Sequence, residues 1–178
     1  MKYYAGIGAR ATPTEVCHLM REFAQHAAQT FILRSGGANG ADKAFEAGCN
    51  QGGGQCQIFL PWALFNSHPS IFTEPNEQAY GFARRVHPFF HNMKPATKRL
   101  VARNMHQILG PNLDDPVDFV ICWTPDGCES HLKYNPRITG GTGSAIALAS
   151  LCDIPVYNIF NDGRLDQAYE HTRRVVVT

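Results

Sequence analysis

Long apolar runs, paired cysteines and the standard nucleotide fingerprints are all missing from this sequence, and each gap removes a class of protein. No apolar stretch approaches the roughly 20 residues that cross a bilayer, so no membrane partner is expected. Met1-Lys2 leads straight into a strand-like run with no apolar segment and cleavage site behind it, so no signal peptide is expected. The six cysteines (Cys17, Cys49, Cys56, Cys122, Cys128, Cys152) lie far apart and form no CxxC pair. That excludes a disulfide framework and a zinc cluster, and leaves the reduced thiols expected of a cytoplasmic protein. The first glycine turn, Gly6-Ile7-Gly8-Ala9-Arg10-Ala11, lacks the third glycine of GxGxxG, and GxxxxGK followed by Ser or Thr occurs nowhere. An ordinary dinucleotide dehydrogenase and a P-loop NTPase are therefore excluded. His87-Pro88 and His91 have no Cys, Asp or Glu at metal-ligand spacing, so neither a metal nor a cofactor is expected.

Acidic residues are also absent from Gln78 to Leu113, a segment holding six basic residues (Arg84, Arg85, Lys94, Lys98, Arg99, Arg103) and three histidines (His87, His91, His106). The whole chain has a net charge of +1, so the balance outside this segment is −5. A local excess of positive charge attracts phosphates. Tyr80, Phe82, Phe89 and Phe90 interleave that charge with flat faces on which single-stranded bases stack. Arg84, Arg85, Lys94, Lys98 and Arg99 are thus the candidate nucleic-acid contacts. The same residues also read as a solvated helix face above core aromatics.

What is present points to one α/β unit. The 178 residues, 44% of them apolar, suffice for the core of a single domain spanning 1–178. Tyr3 to Ile7 is strand-like, Thr12-Pro13 reads as an N-cap with proline at the first helical position, and Val16, Leu19, Met20, Phe23 and Ala27 recur at helical spacing. Phe31 to Arg34 predicts a second strand, Ala41, Ala44, Phe45 and Ala47 a helix ending near Gly48, and Ile58-Phe59-Leu60 a third strand. Pro61, Pro69, Pro75 and Pro88, set among aromatic residues, mark an irregular insertion over about 61–94 that covers a site. Lys98 to Leu109 returns to helical spacing, and Val117 to Trp123 is an apolar strand interrupted only by Asp118. Val156 to Ile159 predicts a strand, Leu165 to His171 a short helix and Val175 to Val177 a last strand. Continuous apolar strands separated by helices predict a Rossmann-like, three-layer α/β/α fold with a mainly parallel sheet.

In such sheets ligands sit in the loops at the strand C-termini. Three of these loops share one character: GIGARATP with Gly8, SGGANGAD with Ser35, Gly36, Gly37, Asn39, Gly40 and Asp42, and TGGTGSA with Gly140, Gly141, Thr142, Gly143 and Ser144. Glycine lets backbone N–H groups approach an anion, and the helix that follows adds unsatisfied donors and its positive end. Together they form a candidate phosphate-binding pocket for a nucleotide. Asp42 has two readings, a helix N-terminal acid or an acceptor for a ribose hydroxyl or base amine. Trp62 and Trp123, each closing a strand-like run, read either as pocket walls that stack on a base or as core.

GIGAR, SGGANGAD, ARNMHQILG at 102–110 and GGTGSAIALASLCDIPVYNI, in that order, resemble the Rossmann-like core of the DNA-processing protein A (DprA/Smf) family. More broadly they are similar to the SLOG superfamily, which includes the LOG phosphoribohydrolases and nucleotide-sensing domains. A compact version with RSGGAxGAD and GGTG is familiar among bacteriophage-encoded DprA-like proteins. The resemblance implies that Arg10, Ser35 to Asp42 and Arg103-Asn104 line a phosphate pocket, and that the partner is single-stranded DNA or a nucleotide. Cores of this kind often dimerise, so a homodimer or higher homo-oligomer is also implied. LOG hydrolases carry PGGxGTxxE; here Ala147 and Leu148 stand where that glutamate falls. Glu46, Glu74 and Glu77 are the remaining candidates for the hydrolysis of a nucleotide N-glycosidic bond. Binding without chemistry is the leading expectation, with LOG-type hydrolysis and the sensing or sequestering of a nucleotide-derived signal as alternatives.

Overall fold

A computed structural model describes residues 2–176. Five parallel strands form one sheet in the order β3-β2-β1-β4-β5. They are β1 (Tyr3–Gly8), β2 (Ile32–Ser35), β3 (Cys56–Ile58), β4 (Phe119–Trp123) and β5 (Val156–Asn158). Six α-helices accompany them: α1 (Thr14–Ala27), α2 (Ala41–Gln51), α3 (Glu77–Val86), α4 (Pro95–Leu109), α5 (Gly143–Leu151) and α6 (Arg164–Val176). This is the Rossmann-like α/β fold.

The apolar strands reach opposite layers because successive side chains point to opposite faces. Tyr4, Leu33, Phe119 and Ile121 pack with α1, α2 and α6. Ala5, Ile7, Val120 and Cys122 pack with α3, α4 and α5 on the other side. In the first layer Tyr4 lies 5.5 Å from Phe119, nearly parallel, while Phe23 and Phe31 meet Tyr4 edge-on. α5 is buried along most of its length, which explains why GSAIALASL shows no polar stripe.

Several local expectations are corrected. Val175 and Val176 continue α6, and Val177 lies outside the described residues. Valine's branched side chain favours strands, but Ala168 and Thr172 form a buried stripe that carries the helix onward. The helix at 165–171 is correspondingly longer. The third strand lies two residues earlier than Ile58–Leu60, because Leu60 instead bridges to Thr73 in the insertion. The insertion contains a full helix, α3, capped by the Asn76 side chain accepting from the Ala79 N–H at 2.9 Å. Thr12 does not cap α1: its hydroxyl donates to Ala9 O at 2.6 Å, holding the first glycine turn closed, and Pro13 takes the cap position.

All six cysteines are free. Among the described residues no helix is long and apolar enough to cross a membrane, and no cluster of three or more His, Cys, Asp or Glu could hold a metal ion.

Candidate functional site

The strand order reverses between β1 and β4, whose crossovers run to opposite sides of the sheet. Such a reversal opens a crevice beyond the strand C-termini, and a cavity of about 620 Å³ lies there. Its walls take Gly8 to Ala11 from the loop after β1, Ala38 and Asp42 from the loop after β2, and Gly140 to Thr142 from the loop before α5. The three glycine loops therefore meet on one cavity, together with Arg103 and Asn104 of α4.

The loops differ in what their donors do. In the second, Asp42 is 3% exposed, and its carboxylate accepts from the Ala38 N–H at 3.2 Å with the N–H groups of Gly8 and Gly36 also turned to it. An internal carboxylate thus takes amides that the glycine pattern would reserve for a bound anion. Burial outweighs these bonds and the nearby Arg103 charge, and raises the Asp42 pKa to about 6. The glycines here serve the packing of protein on protein. Gly40, at φ 82°, presses on the first loop so closely that an added Cβ would lie 2.5 Å from Arg10 O. Gly36 faces the Arg103 guanidinium and the Gln107 amide in the same way.

The third loop is open. Gly140, at φ 78°, and Gly141 have nothing within 4 Å of an added Cβ. The N–H groups of Gly141 and Thr142, like those of Arg10 and Ala11 across the crevice, have no hydrogen-bond acceptor among the described residues. Gly143 is tight for a different reason, since the Tyr134 ring lies against it.

α4 organises these loops from within. Arg103, 6% exposed, donates from Nη1 to Gly36 O and, at 3.0 Å, to Phe59 O, and from Nε to Asn104 Oδ1 at 3.1 Å. The Asn104 amide donates to Gly141 O at 2.8 Å and to the Ser144 hydroxyl at 3.0 Å. One arginine thus ties α4 to the second loop and one asparagine ties it to the third. No carboxylate pairs with Arg103 at ion-pair distance among the described residues. Burial pulls its pKa down, and the Asp42 charge partly opposes that shift.

Other expected site residues fall elsewhere. Ser35 is buried within the sheet, donating to Gly6 O at 2.7 Å. Gly37, Asn39, Gly143 and Ser144 do not line the cavity, and Asn39 is exposed. Glu46 pairs with His68 at 2.7 Å, Glu74 lines a separate cavity of about 180 Å³, and Glu77 is an exposed first-turn residue of α3 that lies 3.9 Å from Arg84. None of the three glutamates lines the main cavity. Arg84, Arg85, Lys94 and Arg99 are exposed outside the cavity, and Lys98 is half-buried with its ammonium 5.6 Å from the Phe90 ring. Trp62 and Trp123 are likewise not wall residues: Trp62 packs edge-on against Phe65, and Trp123 joins the α1/α2/α6 layer.

Gln107 and Phe65 line the cavity and were not singled out from the sequence, and His87, weighed there only as a metal ligand, lines it too. Asn104 and Gln107 are polar residues one turn apart in a helix buried from Val101 to Leu109, and that misplaced polarity was the available signal. Phe65 and His87 come from the insertion, whose path had no periodic trace. His87 Nδ1 accepts from the Phe89 N–H at 3.2 Å, and burial lowers its pKa.

Fold and site together define a Rossmann-like α/β protein with a crevice at the topological switch point, walled by glycine loops, Arg103 and Asn104. Among solved structures, the crystal structure of DNA processing protein A (DprA) from Streptococcus pneumoniae shares this fold, with a TM-score of 0.51 and 16% identity over 97% of this chain and 56% of that one. The chain therefore spans little more than half the length of that protein. No family model and no curated protein matches it.

Proposed function

We propose that this chain binds a nucleotide phosphate, free or carried in single-stranded DNA, in the crevice above β1, β2 and β4, and performs no chemistry on it. Arg103 carries the reading. A guanidinium removed from water with no carboxylate at ion-pair distance is costly, by several kcal/mol in comparable settings, and this one, with only the more distant Asp42 charge to offset it, borders an open cavity. An anion entering that cavity supplies the missing charge. The free amides of Arg10, Ala11, Gly141 and Thr142, the exposed Arg10 guanidinium and the N-terminus of α5 add donors of the kind that hold phosphates. The solved structure that shares this fold is of a DNA processing protein, which favours a nucleic-acid ligand. The exposed cations of α3 and α4 would then follow a strand's backbone beyond the crevice.

Titration with a short fluorescent oligothymidylate, with adenosine monophosphate as competitor, tests this. Binding is expected at low salt and is expected to be lost in Arg103→Met. Replacing Arg84, Arg85, Lys98 and Arg99 with alanine should reduce the slope of log affinity against log salt by roughly 0.7 for each phosphate contact removed. Failure of the native protein to bind either probe at low salt, or unchanged binding by Arg103→Met, overturns the proposal.

A further inference from the structure

We propose that Asp42 gives the crevice a direction, accepting a ribose hydroxyl at the wall after β2 while the phosphate lies toward the loop before α5. The inference rests on the nucleotide reading above in its free-nucleotide form, since a nucleotide within a DNA strand has no free 2′- or 3′-hydroxyl, and goes beyond it by naming the sugar. A carboxylate offers about four acceptor sites. The Ala38 N–H takes one at 3.2 Å and the Gly8 and Gly36 amides are turned toward the others, which leaves room for a donor from the cavity that Asp42 borders.

Asp42 is the one acidic residue among those lining this cavity. A phosphate beside it would meet a negative charge, so the wall at Asp42 is a poor phosphate cradle despite its glycines. The wall across the crevice, at Gly141 and Thr142, has the complementary character, with amides that have no acceptor among the described residues and no carboxylate. The buried guanidinium of Arg103, without an ion-pair partner, independently places the anion in this cavity. A hydroxyl is neutral, donates one hydrogen bond and fits the room left at Asp42. The raised pKa of Asp42 supports this, because burial has left the carboxylate short of donors and a further hydroxyl would relieve it.

The test compares the native protein's affinity for adenosine 5′-monophosphate with that for its 2′-deoxy and 3′-deoxy forms. Ribose 5-phosphate against 2-deoxyribose 5-phosphate serves as a pair that needs no base. Loss of one hydroxyl is expected to weaken binding by roughly tenfold or more, since a site built around a hydroxyl discriminates against its absence. Asp42→Asn should bring ribo and deoxy affinities to within about threefold of each other while inorganic phosphate still competes. Equal binding of all forms by the native protein overturns the inference and leaves the nucleotide reading standing. Discrimination kept in Asp42→Asn, or confined to the base-containing pair, overturns it too. If neither adenosine monophosphate nor ribose 5-phosphate binds, the nucleotide reading falls and this inference with it.

Discussion

The buried carboxylate of Asp42 should leave a measurable signature in the pH dependence of stability. Its folded pKa, raised to about 6 against an ordinary 3.8, means that the folded protein holds this proton more tightly than the unfolded chain does. The stability so contributed is fully present below pH 3.8 and is lost as the pH rises through 6. At neutral pH the protein therefore carries an ionised group that folding has stripped of water. The whole effect is about 3 kcal/mol, and about 1.4 kcal/mol of it falls between about pH 5 and about pH 7.5. Asp42→Asn removes the titration and keeps the shape. Its amide faces backbone donors where a carboxylate oxygen stood, which adds a cost, but that cost does not vary with pH. Urea unfolding of both proteins across this range isolates the group, because histidines such as His87 and His106 titrate in both and largely cancel in the difference. The native protein should lose about 1.4 kcal/mol relative to the variant as the pH rises over that interval. Parallel curves would refute the burial argument. A native protein that instead gains stability against the variant as the pH rises would show that the amides of Ala38, Gly8 and Gly36 and the charge of Arg103 outweigh desolvation.

Asp115→Ala should be costly for so exposed a residue. Asp115 is the counter-ion of Arg34, whose side chain is fully buried beneath it at 2.8 Å, and stranding that charge should cost about 3 kcal/mol by chemical denaturation; a loss below about 0.5 kcal/mol, the size of a neutral surface change, would count against it. Gly40→Ala combines a left-handed backbone with a clash against Arg10 O. It should destabilise the protein by more than the roughly 1 kcal/mol of the φ penalty alone, and a melting temperature equal to that of the native protein would contradict the close approach of the two loops. Asn104→Asp removes the donors to Gly141 O and Ser144 and gives Arg103 an internal counter-ion. It should lower stability by about 1–3 kcal/mol and lower phosphate affinity by about tenfold or more; undiminished affinity in calorimetry would mean that Arg103 does not receive the anion.

The α/β class, the parallel sheet and the three glycine loops were legible because they follow from local periodicity and turn chemistry. Val117 to Trp123 reads as a strand buried on both faces, and Phe119–Trp123 forms it, two residues shorter at the start; a glycine run between strand and helix marks a turn. The insertion was not legible in the same way. α3 is a short helix flanked by proline-rich segments, and Phe65 and His87 line the cavity through long-range packing that leaves no sequence period. The valines near the C-terminus misled for the opposite reason, since intrinsic preference is weak against the packing of Ala168 and Thr172.

By itself, then, the sequence determined which loops gather at the sheet edge, because strand order and connection rules leave few alternatives for alternating strands and helices. Only the tertiary structure decided what each loop does there. SGGANGAD and TGGTGSA look equivalent as strings, yet the first brings a buried carboxylate, Asp42, which takes the Ala38 amide, while the second has no acid and leaves the Gly141 and Thr142 amides without an acceptor among the described residues. Arg103 likewise reads as one of six cations in a basic segment, and is set apart from the others by burial without a carboxylate partner. Where a donor points and which charge goes unpaired depend on contacts between residues far apart in the chain, which no local pattern specifies.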